Sequence, residues 1–272
     1  MPSANDRTRR FHALHESGCF VMPNPWDAGS ARLLAQLGFP ALATTSAGLA
    51  WSLGLPDNGV SLDDALAHFR SIAGSGDVPV NGDFEGGFAI EPEHIATNVA
   101  AAAGTGVAGL SIEDSTGDPV APLFDFSLAV DRMRAARQAI DDSGTRIVLT
   151  GRTEGFIVGR PDLTETIRRL TAYAEAGADC LYAPGIRSMP DIVAVIKAVA
   201  PKPVNVLVGS DFATVAQLAD AGARRISVGG ALARVAITGF LDAAKEIANH
   251  GTFTALDRAL AFANLDRMFR GQ

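Results

Sequence analysis

The stretch Val78-Pro79-Val80-Asn81-Gly82-Asp83-Phe84-Glu85 is a short apolar run that ends in two carboxylates. The later stretch Gly109-Leu110-Ser111-Ile112-Glu113-Asp114 repeats this arrangement. Buried strands of parallel sheets are apolar runs of this kind, and barrel enzymes carry their chemistry at the carboxyl ends of the strands. Side chains alternate along a strand, so Asp83 and Glu85 are expected on one face, where with Glu113 they could hold one hard cation. Alternatively, these acids are solvated or cap the helices that follow.

One local pattern recurs along the chain, in which an alanine-rich amphipathic helix is followed by a glycine and a short apolar strand. Each glycine is expected in the left-handed conformation that ends a helix, and the four positions are Gly38, Gly106, Gly177 and Gly222. Helix start signals fall at Asp27, Ser61, Ser188 and Ser210.

Eight strands are predicted from this pattern, at residues 19–22, 41–45, 78–84, 109–113, 146–151, 180–183, 204–208 and 225–228. Alternating strands and helices in this number favour an α/β fold of the (β/α)8 TIM-barrel type. The alternative, a doubly wound open sheet, lacks the expected Gly-x-Gly-x-x-Gly phosphate loop after a strand. A single domain over residues 1–272 is predicted, with the barrel at about residues 17–250 and an extra C-terminal helix at residues 253–270.

Composition narrows the class of protein. A chain of 272 residues with 47% hydrophobic content can bury a large core, and the formal charge of −7 without a basic block makes nucleic acid an unexpected partner. No apolar stretch has the length of a signal peptide or membrane span, so we expect a cytoplasmic protein without membrane attachment. The two cysteines, Cys19 and Cys180, are expected to be buried thiols rather than a disulfide or a nucleophile. The five histidines have no metal-ligand spacing, which disfavours zinc and leaves Mg²⁺ or Mn²⁺.

Two long segments follow strands at the expected catalytic rim. Residues 46–59 begin with Ser46, Ala47 and Gly48, whose backbone N–H groups could bind a substrate carboxylate, and they supply a fourth acid, Asp57. Residues 115–126 form either a mobile lid or a static cover. We refer to them below as the 115–126 loop.

The fifth strand ends in Arg152, which brings a cation to the rim that carries the acids. Arg152 could bind a substrate carboxylate or phosphoryl group and stabilise negative charge, or it could only neutralise the acidic cluster. Asn205, within the seventh strand, could donate to a substrate oxygen or be satisfied by neighbouring backbone.

Six segments in register resemble the isocitrate lyase/phosphoenolpyruvate mutase superfamily, and they occupy residues 23–28, 44–48, 53–57, 81–87, 112–114 and 151–154. Proteins of that superfamily are Mg²⁺-dependent α/β barrels that act on small 2-oxo acids or their enols. The resemblance implies that Asp83, Glu85 and Glu113 hold the metal directly or through water, with Asp57 close by. It also implies that residues 46–48 hold the substrate carboxylate and that Arg152 faces the developing charge.

The resemblance extends to the C-terminal segment, where Phe253, Leu256, Leu260 and Ala263 form an apolar stripe at helical spacing. In relatives such helices swap onto a neighbouring subunit, which implies a homodimer or a homotetramer. A helix that folds back on its own barrel fits the pattern equally well.

Departures from the family patterns bear on the reaction. The lyases carry a Lys-Lys/Arg-Cys-Gly-His segment in the loop, and the mutases carry a Lys and an Asn-Ser pair, whereas the 115–126 loop has none of these. The usual Asp-x-Asp is Asp83-x-Glu85 here, and the usual Ala-Arg-Thr-Asp is Gly151-Arg152-Thr153-Glu154.

The chemistry expected without a loop acid is that of a carbon–carbon lyase or decarboxylase of an oxaloacetate-like acid, in which the cation draws electrons from a chelating 2-oxo acid to give an enolate. Phosphonomutase chemistry of the phosphoenolpyruvate or carboxyphosphonoenolpyruvate mutase type is the first alternative. A barrel that binds a 2-oxo acid without turning it over is the second.

Overall fold

The computed structural model describes residues 3–270, and in that range eight parallel strands form one sheet. The order β1-β8-β7-β6-β5-β4-β3-β2 is that of a nearly closed barrel, which confirms the predicted (β/α)8 fold. The strands are β1 Phe20–Met22, β2 Leu42–Ala43, β3 Val80–Asp83, β4 Gly109–Glu113, β5 Val148–Arg152, β6 Cys180–Tyr182, β7 Val204–Leu207 and β8 Arg225–Ser227.

Helices alternate with the strands. Those described are α1 Ala4–Glu16, α2 Ala28–Gln36, α3 Ser46–Ser52, α4 Leu62–Ala73, α5 Pro92–Ala103, α6 Phe126–Ser143, α7 Leu163–Glu175, α8 Met189–Val199, α9 Val215–Asp220, α10 Ala231–His250 and α11 Phe262–Arg270. None of the described helices is both long and apolar enough to cross a membrane.

The glycine positions predicted from the repeating pattern have the expected backbone conformation. Gly38, Gly106, Gly177 and Gly222 have φ of 85°, 93°, 105° and 95°. Such angles are strained for residues with a Cβ atom, so the glycines let each helix end and the next strand begin within a few residues.

Three of the four predicted helix starts are N-caps, and the fourth is wrong. Asp27, Ser61 and Ser188 precede α2, α4 and α8. Ser210 does not start α9, because the capping box there is made by Thr214 with Gln217.

The barrel closes between β1 and β2 through Asn24, which lies just beyond β1. Its side-chain amide donates to the Thr44 carbonyl at 2.8 Å, and its side-chain oxygen accepts from the N–H groups of Val228 and Gly229, each at 2.9 Å. The Ala43 N–H also donates to the Pro23 carbonyl at 3.1 Å. These bonds hold the carboxyl ends of β1, β2 and β8 together.

The amino-terminal end of the barrel is covered by α1, which begins with a capping box between Ser3 and Asp6. Phe11 is fully buried and packs in a cluster with Phe20 and Val148. His15, on the same helix, accepts from the buried guanidinium of Arg225 at 3.3 Å.

The predicted C-terminal helix is interrupted. A 3-10 helix covers Thr254–Arg258, and α11 begins only at Phe262. Gln36 on α2 donates to the Met268 carbonyl at 2.6 Å, so α11 lies against α2 of its own chain.

Two buried histidines make the stability of the fold depend on pH. Burial lowers the pKa of His15 to about 3 and that of His68 to about 4, against 6.5 for a solvated ring. Below pH 6.5 these two rings bind protons in the unfolded chain but not in the folded chain. Their contribution to the free energy of unfolding therefore falls as the pH is lowered toward 4.

We predict that His68→Leu reduces this pH dependence, by up to about 1.4 kcal/mol for each pH unit below 6.5. The measurement is urea unfolding at several pH values between 7.5 and 4.5, with the exposed His94→Leu as the matched control. Equal slopes for wild type and His68→Leu would contradict the prediction.

Candidate active site

A cavity of about 430 Å³ opens at the carboxyl ends of the strands, the face where barrel enzymes carry their sites. The predicted site residues Ser46, Ala47, Asp57, Asp83, Arg152 and Asn205 line it. Gly48 is buried behind the lining, and a Cβ atom there would lie 2.6 Å from Thr45 Cγ2 and 2.9 Å from Trp26 Cβ. Glycine at position 48 is therefore required by packing.

Arg152, at the end of β5, lies at the centre of a carboxylate cluster. Its Nη1 is 3.0 Å from Asp83 Oδ1, its Nη2 is 3.2 Å from Glu113 Oε2, and its Nε is 2.5 Å from Glu154 Oε1. All four side chains are less than a fifth exposed. One guanidinium thus uses each of its nitrogens on a different carboxylate.

The cluster has more acids than a single cation neutralises. Burial raises the pKa of Glu113 well above its usual value and raises that of Glu154, although Arg152 opposes both shifts. Burial lowers the pKa of Arg152, but the surrounding carboxylates together raise it well above its ordinary value. Burial and the nearby Asp83 also raise the pKa of Asp57, at the mouth of the cavity. Groups whose pKa values are shifted by burial and by neighbouring charges in this way are concentrated at functional sites.

Glu85 lies near the cluster, but not because it shares a strand face with Asp83 as the sequence predicted. The strand β3 ends at Asp83, and Glu85 lies beyond it with a left-handed backbone at φ 48°, so the alternation of a strand does not place it. Burial, then Asp83, raises the pKa of Glu85 to about 7. Its Oε1 atom is buried and has no hydrogen-bond partner among residues 3–270.

Asp83 is oriented by the start of α3. Its Oδ2 accepts from the Ser46 N–H at 3.0 Å and from the Ser46 hydroxyl at 2.9 Å, and its own N–H donates to the Thr44 hydroxyl at 2.8 Å. Residues 46–59 were predicted as a loop after β2, but their first half forms the helix α3. The Gly48 N–H donates to Thr45 Oγ1, the N-cap of that helix.

A second, deeper carboxylate holds the end of β5 in place. The carboxylate of Asp114 accepts from the hydroxyls of Thr153 and Tyr173 at 2.8 and 2.6 Å, from the Glu154 N–H at 2.9 Å and from Arg169 at 3.0 Å. Asp114 is buried, and four charge-assisted bonds to one carboxylate are strong and directional.

Gly151 is what allows Tyr173 to reach that carboxylate. A Cβ atom at position 151 would lie 2.9 Å from Tyr173 Cβ and 3.3 Å from Ala178 Cβ. The absent side chain lets α7 approach β5, so the departure from the usual alanine has a packing reason.

The 115–126 loop is compact. Ser115 and Leu123 form an antiparallel bridge, and the Phe124 N–H donates to the Asp114 carbonyl at 2.9 Å. Phe124 stacks beneath the guanidinium of Arg132, which lies 4.0 Å from the ring centroid. None of the loop residues lines the cavity in the described structure.

Sequence reasoning gave no role to Arg225 or Tyr182, which also line the cavity. Arg225 is fully buried inside the barrel, where it donates to Asn205 Oδ1 at 3.0 Å and to Thr150 Oγ1 at 3.1 Å. Asn205 donates to Ser227 at 2.9 Å, so its amide is engaged within the barrel. The sequence did contain a signal for Arg225, because an arginine within the otherwise uncharged strand 225–228 indicates a buried charge with a specific role.

Within residues 3–270, no three His, Cys, Asp or Glu side chains converge as ligands of one ion. Arg152 lies between the carboxylates of Asp83, Glu113 and Glu154 instead. A nearly closed parallel barrel with this acidic, arginine-bearing rim has the architecture of a barrel enzyme of small-molecule metabolism.

The chain belongs to the phosphoenolpyruvate phosphomutase family, because the model of that family matches residues 11–248. This places it in the isocitrate lyase/phosphoenolpyruvate mutase superfamily, whose members are enzymes, and it confirms the resemblance found in the sequence.

Relatives within that superfamily differ in their reactions. A crystal structure from Burkholderia cenocepacia J2315, assigned as a lyase or mutase, has a TM-score of 0.94 at 45% identity, covering 98% of this chain and 96% of that one. The 2-methylisocitrate lyase of Escherichia coli K12 is 34% identical over 171 residues, which is 60% of this chain and 56% of the relative. The oxaloacetate decarboxylase of Bradyrhizobium diazoefficiens is 31% identical over 193 residues, 68% of this chain and 65% of the relative.

We predict that Asp114→Ala lowers the free energy of unfolding by about 3–5 kcal/mol, because it leaves the buried Arg169 and Tyr173 without their shared acceptor. The measurement is urea denaturation. Asp125→Ala is the matched control, since Asp125 is exposed and its side chain makes no capping bond. A difference below about 1 kcal/mol between the two variants would contradict the role of Asp114.

Proposed function

We propose that this protein is an Mg²⁺- or Mn²⁺-dependent enzyme that breaks the carbon–carbon bond next to the carbonyl group of a small 2-oxo acid. Decarboxylation of an oxaloacetate-like acid is the simplest form of this chemistry. The observation that carries the proposal is the buried cluster at the rim, where one guanidinium faces Asp83, Glu113 and Glu154 with Glu85 close by.

The chemistry of the donor set fits a hard divalent cation. Asp83, Glu85 and Glu113 offer only oxygen atoms, and the buried Oε1 of Glu85 has no other partner within residues 3–270. Because no three acidic side chains converge on one point within residues 3–270, the cation we propose is one that keeps part of its water shell, as Mg²⁺ does. When bound, such an ion polarises the keto and carboxylate oxygens of a chelating 2-oxo acid.

Residues 46–48 provide the carboxylate end of the site. The N–H and hydroxyl groups of Ser46 already donate to Asp83, and the Gly48 N–H donates to Thr45. The Ala47 N–H, directly after Ser46, is therefore the group we assign to the substrate carboxylate. Both residues line the cavity beside Asp83. Binding there orients the substrate across the mouth of the barrel.

Arg152 provides the stabilising charge. As the bond to the departing group breaks, negative charge develops on the keto oxygen, and a guanidinium fixed in a water-poor site stabilises it without reorganisation. Asp57 lies at the cavity mouth, where a carboxyl group with a raised pKa can order water or exchange protons with it. Asn205 acts by holding the Arg225 side chain beneath the substrate.

Phosphonomutase activity is the alternative, and the match to the phosphomutase family model favours it. The absence of Lys, Arg and His from the 115–126 loop counts against it, because a migrating phosphoryl group needs cationic neighbours. The same enolate chemistry and the same carboxylate cluster would serve both reactions.

We predict Mg²⁺-dependent loss of oxaloacetate and formation of pyruvate by the purified protein, and a fall in rate of about 10²–10³-fold for Arg152→Ala. The rate is corrected for the slow reaction of oxaloacetate with Mg²⁺ alone. Asp118→Asn, on the exposed part of the 115–126 loop, is the control variant. Absence of any protein-dependent, metal-dependent loss of oxaloacetate would refute decarboxylation, and conversion of phosphonopyruvate to a phosphate ester in ³¹P NMR would establish the mutase alternative.

We further propose that the protein is a homo-oligomer, a dimer or a tetramer. The helix α10 and the segment after it expose large apolar side chains, among them Val235, Phe240, Phe253, Leu260 and Phe262, each at least 60% exposed. Apolar area of this extent on consecutive elements is typical of a subunit interface, and a second copy of this chain is the partner that the family resemblance implies.

We predict that Phe240→Glu shifts the protein toward the monomer in sedimentation velocity, because a buried unpaired charge opposes association. Leu37→Glu is the matched control, since Leu37 and Phe240 are both 70% exposed and Leu37 directly follows α2, away from α10 in sequence. A monomeric wild type, or an unchanged sedimentation coefficient for Phe240→Glu, would contradict the proposal.

A further inference from the structure

We infer that the hydroxyl group of Tyr182 is the acid that returns a proton to the enolate carbon after bond cleavage. This inference rests on the proposed function and deepens it, because the reaction leaves an enolate that must be protonated before a 2-oxo acid can depart. The 115–126 loop carries no Cys, Lys, Arg or His and does not line the cavity. A proton donor supplied by the protein must therefore come from the barrel itself.

Few of the residues that line the cavity can donate a proton to an enolate carbon. No His, Cys or Lys among the described residues lines it. The Ser46 hydroxyl is engaged by Asp83, and the guanidinium groups of Arg152 and Arg225 are too basic to give up a proton. Asp57, Asp83 and Tyr182 are the remaining lining residues with an acidic group. The Asp83 carboxylate accepts from Ser46 and Arg152, and Asp57 lies on the exposed segment at the mouth.

Tyr182 ends β6, in register with Arg152 on β5 and with Asn205 on β7. Its ring lies beneath the Arg152 guanidinium, 5.2 Å from Cζ to the ring centroid, and only 8% of the residue is exposed. The ring is thus held against the group that we assign to the developing charge. Burial raises the pKa of Tyr182 to about 12, so the phenol keeps its proton until the enolate forms.

The order of the strands around the barrel places Tyr182 opposite the residue that we assign to the substrate carboxylate. Carboxylate binding is assigned to the Ala47 N–H after β2, and in the sheet order β6 lies four strands from β2, on the opposite side of the barrel. A 2-oxo acid held by its carboxylate at β2, with its keto oxygen toward β3 and β4, directs its third carbon across the barrel toward β6.

The O–H bond of Tyr182 breaks, the enolate π electrons form the new C–H bond, and the C–O bond of the enolate becomes a carbonyl. The phenolate that remains is stabilised by the Arg152 guanidinium and by the Ser227 hydroxyl, which favours the ionised form. Water that enters after product departure restores the proton to the phenolate, so no oxidant or further reactant is needed.

The test separates protonation from bond cleavage. In D₂O the enzyme should exchange the methyl protons of pyruvate, the reverse of the protonation step, as followed by ¹H NMR with Mg²⁺ present. Tyr182→Phe keeps the ring over Arg152 and removes the oxygen alone. We expect it to lower the exchange rate by about 10²-fold or more, while oxaloacetate loss in a single turnover, with enzyme in excess, and oxalate binding by calorimetry change only a few-fold.

The chain contains one other tyrosine, which supplies the matched control. Tyr173→Phe removes a hydroxyl that faces Asp114 outside the cavity, so the ratio of exchange to oxaloacetate loss should stay as in wild type. Ser227→Ala provides a second check that keeps Tyr182, and loss of one neutral hydrogen bond should lower exchange about 5-fold.

The outcomes are distinguishable. An unchanged ratio in folded Tyr182→Phe, or wild-type enzyme that consumes oxaloacetate without exchanging pyruvate, overturns the role of Tyr182 and leaves the proposed function standing. If wild type neither consumes oxaloacetate nor exchanges pyruvate, the proposed function fails and this inference fails with it. A selective loss of exchange in Tyr182→Phe, and not in Tyr173→Phe, supports the assignment.

Discussion

The structure depends on one electrostatic constraint, which is that a single guanidinium, Arg152, serves three carboxylates in a nearly closed space. Each of its nitrogens contacts a different acid from a different strand end, and Glu113 and Glu154 keep raised pKa values despite this contact. An arrangement of this kind costs free energy in the absence of a further cation. The cluster lies at the carboxyl ends of the strands, where barrel enzymes carry their active sites. A role in function would explain why the fold keeps an arrangement that lowers its stability.

The surrounding residues hold the charged groups in place. Asp114 fixes the turn after β5 through four hydrogen bonds, and Gly151 lets α7 come close enough for Tyr173 to take part. Asn24 ties together three strand ends where the barrel would otherwise open. These contacts are rigid, buried and directional, which is what a preorganised site requires of its support.

Much of the fold and part of the candidate site could be predicted from the sequence, because apolar runs, strand-end acids and helix-ending glycines are local signals. The barrel, the four left-handed glycines and the meeting of Asp83, Glu113 and Arg152 at one rim follow from such signals. Glu85 was expected from the alternation of a strand that in fact ends at Asp83, and residues 46–52 were expected as a loop. The roles of Asp114, Arg225 and Tyr182 depend on partners far along the chain, which no local pattern specifies.

Family membership fixes the fold and the superfamily but leaves the reaction open, since related barrels are named as lyases, decarboxylases and mutases. The claim common to all these reactions is that the rim carboxylates hold a divalent cation. Electron paramagnetic resonance of Mn²⁺ titrated into the protein tests it most directly. The account predicts one bound Mn²⁺ per chain, held more tightly with oxalate and lost in the Asp83→Asn, Glu113→Gln double variant. Free Mn²⁺ alone in the presence of folded wild-type protein, or equal binding by the double variant, would contradict it.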